Sequence, residues 1–159
     1  MIELTRGNLL HANTEAIVNA VNCVGVMGRG IALQFKKAWP DNFNAYALAC
    51  KNKELTPGVM FIYEIQKAAN PRFIINFPTK RHWRNTSCIE DIEAGLITLV
   101  NEIKQRNIKS IAIPPLGAGL GGLEWSVVYE KIKNTMEPLT DVHVLIYGPI
   151  GKTELSEKE

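Results

Sequence analysis

The segment AIVNAVNCVGVMGRGIALQF, residues 16–35, decides the fold. It begins with AIVNAVN, an almost continuous apolar run of the kind that forms a buried strand. Three glycines, Gly25, Gly28 and Gly30, follow, and the residues after them place apolar side chains at helical spacing. A buried strand, a glycine-rich loop and a helix, in that order, predict one unit of a layered α/β fold.

The same order of elements recurs in the second half of the chain. The segment PLGAGLGGLEW, residues 115–125, joins the apolar run SIAI to a helix expected from about Trp125 to Met136. Further buried strands are predicted in RFIIN, residues 72–76, and VHVLIYG, residues 142–148. Apolar strands that alternate with helices predict an α/β protein with three layers, α/β/α, around a mixed, mostly parallel central sheet.

Ser87 and Glu90 mark the predicted start of a long helix. A serine followed three residues later by a glutamate is the pattern of a capping box. We interpret Glu90, Asp91 and Glu93, in the first turns, as carboxylates that favour the helix dipole. The buried stripe of this helix is expected at Ile89, Ile92, Leu96, Leu99, Val100 and Ile103.

Length and charge limit the class of protein and the kind of partner. With 159 residues the chain suits one domain by the usual prior of roughly 100–200 residues, and we expect it at residues 1–150, with residues 151–159 a polar tail or the start of a linker. The formal charge of +2 is too small for a general polyanion binder, so affinity for anions must come from local arrangement. Oligomeric state cannot be read from the sequence, and a monomer is the default expectation.

The cysteines and the apolar runs indicate the compartment. Cys23, Cys50 and Cys88 are widely spaced, with no CxxC pair and no histidine at the spacing of a metal site. We therefore expect a reducing compartment, no bound metal and no cofactor. The N-terminus lacks the apolar run of a signal peptide, and no apolar stretch approaches the ~20 residues of a membrane span, which predicts a soluble cytoplasmic protein.

Two glycine loops follow predicted strands: the first glycine loop, residues 22–32, and the second glycine loop, residues 115–125. Because glycine has no Cβ, successive backbone N–H groups can converge on an anion, and the helix that follows adds partial positive charge. Two such loops suit a diphosphate held from both sides. Neither loop has the GKS or GKT of nucleotide hydrolases, and the first does not match GxGxxG, which disfavours ATP hydrolysis and dinucleotide redox chemistry.

These residues carry a family resemblance. GNLL, AIVNAVNCVGVMGRGIALQF and PPLGAGLGGLEW together resemble the macrodomain family, an α/β/α fold that binds ADP-ribose, over essentially the whole chain. Within that family, MGRGIALQFKK, FPTK and GLGGLEW are most similar to the DarG-like antitoxin macrodomains, which are related to the lysine-using branch of ADP-ribosyl glycohydrolases. The resemblance implies removal of ADP-ribose that a partner toxin, DarT, attaches to thymidine bases in single-stranded DNA.

The resemblance also implies roles for individual residues. Asn8 stands where most macrodomains have an aspartate that contacts adenine, Asn22 would lie near the distal ribose, and Lys80 matches the catalytic lysine of the lysine-using branch. The ADP-ribose phosphates would lie between Gly28, Arg29, Gly30 and Ile31 on one side and Leu116, Gly117, Ala118, Gly119, Leu120 and Gly121 on the other. The lysine-using branch has an aspartate where this sequence has Gly121, a glycine that the DarG-like sequences share. Lys80 is thereby left without that carboxylate partner.

The segment TKRHW, residues 79–83, is the predicted meeting point of substrate and catalyst. Arg81 would favour the neutral form of Lys80 by repulsion, and His82 is a candidate proton donor to the departing base. Trp83 offers a face on which a nucleobase can stack, and Arg81 and Arg84 can contact DNA phosphates. The sequence leaves open whether the Lys80 amine attacks the ribose, through a Schiff base, or acts as a base or electrostatic group.

The leading hypothesis is a hydrolase of the N-glycosidic bond between ADP-ribose and thymidine in single-stranded DNA, acting as the antitoxin to a DarT-like toxin. A non-catalytic ADP-ribose reader is one alternative. The other is a hydrolase of ADP-ribosylated protein carboxylates or of O-acetyl-ADP-ribose. The basic and aromatic residues after Lys80 favour nucleic acid.

Overall fold

A computed structural model describes residues 1–149, so the predicted tail, residues 151–159, lies outside the described part. Six strands form one sheet in the order β1-β6-β5-β2-β4-β3. The strands are β1 (Ile2–Thr5), β2 (Ala16–Asn22), β3 (Phe61–Glu64), β4 (Phe73–Lys80), β5 (Ser110–Ile113) and β6 (His143–Tyr147). All neighbouring strands pair in parallel except β3 and β4, which pair antiparallel, so the predicted mixed, mostly parallel sheet is confirmed.

Four helices cover the two faces of this sheet. They are α1 (Gly30–Ala38), α2 (Pro40–Lys51), α3 (Ile89–Gln105) and α4 (Trp125–Met136), and a short 3-10 helix spans Leu9–His11. Because successive strand residues point to opposite faces, Val18 packs in the core under α3 and α4, whereas Ile17 packs with Phe35 of α1 on the other face. The predicted three-layer α/β/α arrangement is therefore present.

The long helix α3 has the predicted buried stripe but a different start. Ile92, Leu96, Leu99 and Ile103 are buried, with Ile89 and Val100 partly buried against the same core. The helix begins at Ile89 with Cys88 as its N-cap, and no side chain accepts a capping hydrogen bond there. The predicted capping box is therefore wrong, because the side chain of Ser87 packs against the second glycine loop instead.

Strand β4 is longer than the apolar run predicted and ends at Lys80. The predicted strand RFIIN ended at residue 76, but the residues of FPTK continue the ladder with β2. Because the strands are parallel, β2, β4 and β5 all end at one edge of the sheet. That edge carries both glycine loops and Lys80, as the carboxyl ends of strands do in open α/β sheets that bind ligands. No helix within residues 1–149 is long and apolar enough to cross a membrane.

Candidate active site

Asn22, the last residue of β2, shapes the first glycine loop. Its side-chain Nδ2 donates to the carbonyl oxygen of Val26 at 2.8 Å, and its Oδ1 accepts from the backbone N–H groups of Val24 and Val26. The hydroxyl of Tyr46, from α2, lies 2.8 Å from both Oδ1 and the backbone oxygen of Asn22. The side chain that is expected near the distal ribose therefore also fixes the loop that would line the phosphates.

Buried amides support the first glycine loop from below. Asn19, Asn42 and Asn76 are each fully buried, and their side chains hydrogen-bond to one another at 2.9–3.3 Å. The Nδ2 of Asn19 also lies 3.9 Å from the sulfur of Met27, a buried loop residue. Because buried polar groups are costly to leave unpaired, this network ties β2, β4 and α2 to one arrangement under the loop.

The first glycine loop ends at the N-terminus of α1. Arg29 precedes that helix without forming a side-chain cap, and Gly30 has a φ of 63°, a left-handed conformation that glycine adopts without strain. Gly28, Arg29 and Gly30 are exposed, and Ile31 is partly buried. A cationic side chain at the positive end of a helix dipole is unfavourable unless an anion is bound nearby, so this end of the site suits phosphate.

The second glycine loop folds directly onto Ser87. A Cβ at Gly121 would lie 2.3 Å from the Ser87 hydroxyl and 2.5 Å from the carbonyl oxygen of Gly117, so no side chain fits there. Gly117 has a φ of 72°, and a Cβ on it would lie 2.8 Å from a methyl group of Leu123. An aspartate at Gly121 is therefore excluded by this loop conformation. Of the remaining predicted loop residues, Leu116 is buried, Ala118 is partly buried, and Gly119 and Leu120 are exposed.

Lys80 lies between the two loops. Its Nζ donates to the backbone oxygen of Leu120 at 3.3 Å. The side chain of Leu120 reaches across to the first loop, where its Cδ1 would lie 2.9 Å from a Cβ at Gly30. Partial burial, and next to it the positive charge of Arg29, lower the pKa of Lys80 from its ordinary value.

The charge that acts on Lys80 differs from the one that the sequence suggested. We predicted repulsion by Arg81, but the guanidinium of Arg81 forms an ion pair with Asp91, with its Nη2 3.3 Å and its Nε 3.4 Å from the two carboxylate oxygens. The Asp91 side chain, assigned from sequence only to the helix dipole, thereby pins the residue after Lys80 to α3. Arg29 of the first loop is the cation that depresses the Lys80 pKa.

His82, Trp83 and Arg84 form a small stacked group. The rings of His82 and Trp83 lie 5.3 Å apart and are inclined by 31°, and the Arg84 guanidinium lies 4.6 Å above the Trp83 ring. The Nδ1 of His82 accepts the backbone N–H of Arg84 at 3.1 Å. The other ring nitrogen, Nε2, then carries the proton in the neutral imidazole and is the donor. Trp83 is 40% exposed.

Asn8 caps the short 3-10 helix that follows it. Its Oδ1 accepts the backbone N–H of Leu10 at 3.0 Å, while Asn8 itself is exposed. The amide nitrogen of Asn8 is free of the cap, and its oxygen, which has two lone pairs, can accept one further hydrogen bond.

Three residues of the site were missed from sequence. Tyr46, Ser87 and Asp91 each hold a predicted site residue, and each lies on a helix or just before one. From the sequence, Tyr46 was assigned only to an apolar helix face. Ser87 and Asp91 matched the ordinary patterns of a helix start. No local signal separates such a residue from one that only stabilises a helix. Among residues 1–149, no three His, Cys, Asp or Glu side chains are grouped to hold a metal ion.

Comparison of this chain with known protein families and structures agrees with this architecture. Residues 18–132 match the family model described as Macro domain. The chain therefore belongs to the macrodomain family.

Particular relatives narrow the position within that family. The chain is 50% identical over 157 residues to the DNA ADP-ribosyl glycohydrolase of Mycobacterium tuberculosis, a match that covers 99% of this chain and 45% of that protein. It is 51% identical over 150 residues to the DNA ADP-ribosyl glycohydrolase of Thermus aquaticus, covering 94% of this chain and 42% of that protein. It is also 36% identical over 166 residues to a DNA ADP-ribosyl transferase-DNA ADP-ribosyl glycohydrolase fusion protein of Thermosipho africanus. That match covers 95% of this chain and 42% of the fusion protein.

Solved structures give the same grouping. The macrodomain of M. tuberculosis DarG matches with a TM-score of 0.93 and 51% identity, covering 94% of this chain and 99% of that one. T. africanus DarTG in complex with ADP-ribose matches with a TM-score of 0.85 and 37% identity, covering 99% of this chain and 45% of that one. The chain spans less than half the length of the curated relatives it matches.

Proposed function

We propose that this chain is an ADP-ribosyl glycohydrolase that releases ADP-ribose from thymidine bases in single-stranded DNA, as the antitoxin to a DarT-like toxin. The observation that carries the proposal is the position of the Lys80 amine, held between two glycine loops at the carboxyl edge of the sheet. The two relatives of 50% and 51% identity are both named DNA ADP-ribosyl glycohydrolase, which supports ADP-ribosylated DNA as the substrate. The relative that fuses a DNA ADP-ribosyl transferase to a glycohydrolase supports a DarT-like toxin as the partner.

ADP-ribose binds with its diphosphate between the loops. Backbone N–H groups of Gly28 to Ile31 and the N-terminus of α1 approach it from one side, and those of residues 116–121 from the other. Asn8 contacts the adenine, and Asn22 lies beside the distal ribose. The charge of Arg29 adds to the attraction for the diphosphate.

The chemistry takes place at Lys80. In one route the lone pair of the neutral amine attacks the anomeric carbon of the distal ribose, and the bond from that carbon to the thymine nitrogen breaks. The lysine-bound ribosylamine that results opens its sugar ring to give a Schiff base. His82 donates a proton to the departing base, and water then hydrolyses the lysine adduct to free ADP-ribose and the amine. In the other route Lys80 assists the attack of water or of a ribose hydroxyl, as base or as charge, without an adduct.

The stacked group after Lys80 holds the DNA strand. Trp83 offers its exposed ring to a nucleobase, and the guanidinium of Arg84, which lies over that ring, contacts phosphate. Arg81 contributes positive charge from a side chain that is 70% exposed, although two of its guanidinium nitrogens already donate to Asp91. A binding mode of this kind loses affinity as the salt concentration rises.

The test follows release of ADP-ribose from single-stranded DNA that carries it on a thymidine, beside an ADP-ribosylated protein. We expect the wild type to release ADP-ribose from the DNA. Lys80→Ala is expected to abolish release while ADP-ribose affinity changes less than about threefold, because the loops rather than the amine hold the ligand. Lys67→Ala, at an exposed lysine away from the site, is the matched control.

The outcomes separate the alternatives. Binding of ADP-ribose without release from either substrate would make the chain a reader. Release from the protein but not from DNA would identify a hydrolase of protein carboxylate esters. Borohydride added during turnover separates the two routes, because it reduces a Schiff base and leaves ADP-ribose attached to the Lys80 peptide, whereas the route without an adduct leaves that peptide unmodified.

A further inference from the structure

Two contacts join the last residue of β4 and the chain that follows it to adjacent residues of the second glycine loop. At one end, Lys80 Nζ donates to the carbonyl oxygen of Leu120 at 3.3 Å. At the other, the backbone N–H of Ser87 donates to the carbonyl oxygen of Gly121 at 2.9 Å. The residues between these ends, 81–86, which we call the basic segment, are thus closed onto the loop at both ends.

A third contact fixes the same segment to α3. Arg81 pairs with Asp91, which lies in the first turn of α3 and is 8% exposed. A carboxylate that is largely removed from water holds a bidentate guanidinium more firmly than an exposed one does. The first residue of the basic segment is therefore anchored, and its last residue precedes Ser87 directly.

The side chain of Ser87 packs tightly against the second glycine loop. Ser87 is 7% exposed, and its hydroxyl has no hydrogen-bond partner among the residues that the structure describes. The hydroxyl of Ser87 fills the space that a Cβ on Gly121 would occupy. The Cβ of Ser87 lies 3.0 Å from the position that a Cβ on Gly117 would take. The loop backbone therefore rests on this side chain, and a displacement of Ser87 must displace the loop or open a gap.

We propose that Ser87 is a positioning residue that couples the basic segment to the second glycine loop, so that a DNA strand bound to the segment tightens ADP-ribose binding and sets the Lys80 amine. This inference rests on the proposed function, since it assigns the DNA strand to the basic segment. Ser87 acts through the loop backbone at Gly121, next to the Leu120 carbonyl that accepts from Lys80.

The coupling has a simple physical origin. A DNA strand that holds Trp83 and Arg84 favours one position of the basic segment, and Ser87 transmits that position to the loop backbone. A loop that is already ordered costs less conformational entropy when ADP-ribose binds to it. Linkage requires the effect to be reciprocal, so bound ADP-ribose must tighten DNA binding by the same factor.

The experiment measures ADP-ribose affinity by calorimetry, with and without a saturating, unmodified single-stranded thymidine oligonucleotide. In the wild type we expect the oligonucleotide to tighten ADP-ribose binding about tenfold, within the usual range of coupling between sites. In Ser87→Gly, which removes the side chain under the loop, we expect ADP-ribose alone to bind more weakly and the tightening by the oligonucleotide, taken as the ratio of the two affinities of that variant, to fall below about twofold. A general loss of fold would also abolish binding of the oligonucleotide alone.

Two further variants keep the test decisive. Asp91→Asn weakens the anchor at the other end of the segment without altering the loop, and should also reduce the tightening; it replaces Ser87→Gly if that variant does not fold. Ser126→Ala, at an exposed serine of α4, is the matched control and should keep the full tightening.

The contrary outcomes are distinct. Equal ADP-ribose affinity with and without DNA in the wild type would overturn the coupling, as would failure of the oligonucleotide to bind. Full tightening in Ser87→Gly would overturn the role of Ser87. A protein that shows the coupling yet releases no ADP-ribose from modified DNA would keep this inference and lose the hydrolase, so the two failures are distinguishable.

Discussion

Asn22 lies directly opposite Lys80 in the pairing of β2 with β4. The pairing shifts at this point, since Val21 faces Pro78 and Asn22 faces Lys80, which leaves Thr79 as an extra residue in β4. A bulge of this kind commonly re-aims side chains next to a binding site. Here it brings the residue that shapes the first glycine loop beside the lysine proposed to carry the chemistry.

Tyr46→Phe should loosen the first glycine loop. The substitution removes the hydroxyl that lies 2.8 Å from the side-chain oxygen of Asn22. Because that oxygen still accepts from the backbone N–H groups of Val24 and Val26, the loss is that of one hydrogen bond, about 0.5–1.5 kcal/mol. We expect the free energy of unfolding to fall by that amount and ADP-ribose to bind more weakly. Urea unfolding and calorimetry measure the two effects, with Tyr129→Phe on α4 as the control. Unchanged ADP-ribose affinity would show that the Tyr46 hydroxyl does not support the loop.

Arg29→Gln tests the electrostatic control of Lys80. The Arg29 charge disfavours the ammonium form and so contributes to the lowered pKa of Lys80. Removing it raises that pKa toward its ordinary value, which leaves less neutral amine at neutral pH. We expect a lower kcat near pH 7 and a pH–rate profile shifted to higher pH, measured at saturating substrate.

The comparison for Arg29→Gln is Lys37→Gln, an exposed cation in the last turn of α1, whose pH profile should match the wild type. A higher kcat near pH 7 in Arg29→Gln would contradict a neutral amine. That result would indicate that Lys80 works as a charged group.

Gly121→Asp should damage the site rather than complete it. A Cβ there would lie 2.3 Å from the Ser87 hydroxyl and 2.5 Å from a backbone oxygen, and overpacking of this kind costs about 1–3 kcal/mol. We expect a lower melting temperature and weaker ADP-ribose binding. Gly119→Ala is the matched control for the melting temperature, because a Cβ at Gly119 meets nothing within 4 Å. Faster hydrolysis by Gly121→Asp would mean that the loop can adopt another conformation.

Trp83→Ala and Arg84→Ala should separate stacking from phosphate contact. Loss of one stacked base costs about 1–3 kcal/mol, so Trp83→Ala should weaken DNA binding about tenfold with little change in its salt dependence. Arg84→Ala should lower the slope of log affinity against log salt by about 0.7, the value for one phosphate contact on a single strand. Fluorescence anisotropy at several salt concentrations measures both, with Leu48→Ala, an exposed apolar residue of α2, as the control.

The fold was readable because local patterns encode it, whereas Lys80 was singled out by the family resemblance. An apolar run gives a strand, a spacing of three or four gives a helix, and glycines between them give a loop, so β2, α4 and both loops fall where they were predicted. The end of β4 was missed because the predicted run RFIIN stops at residue 76, and the proline and lysine of FPTK do not continue its apolar pattern. In the structure they lie at the carboxyl end of the strand, beside β2.

The sequence by itself determined the α/β class and the two glycine loops, and its family resemblance singled out Lys80. Tertiary structure alone decided what acts on Lys80: partial burial and then the charge of Arg29 lower its pKa, and its amine is held by the Leu120 carbonyl, 40 residues away. It likewise decided that Arg81 pairs with Asp91 and that Ser87 supports the loop rather than capping a helix. The physical reason is that pattern along the chain specifies which face of an element is buried, whereas contacts between loops depend on strand order, and here β2 lies between β4 and β5.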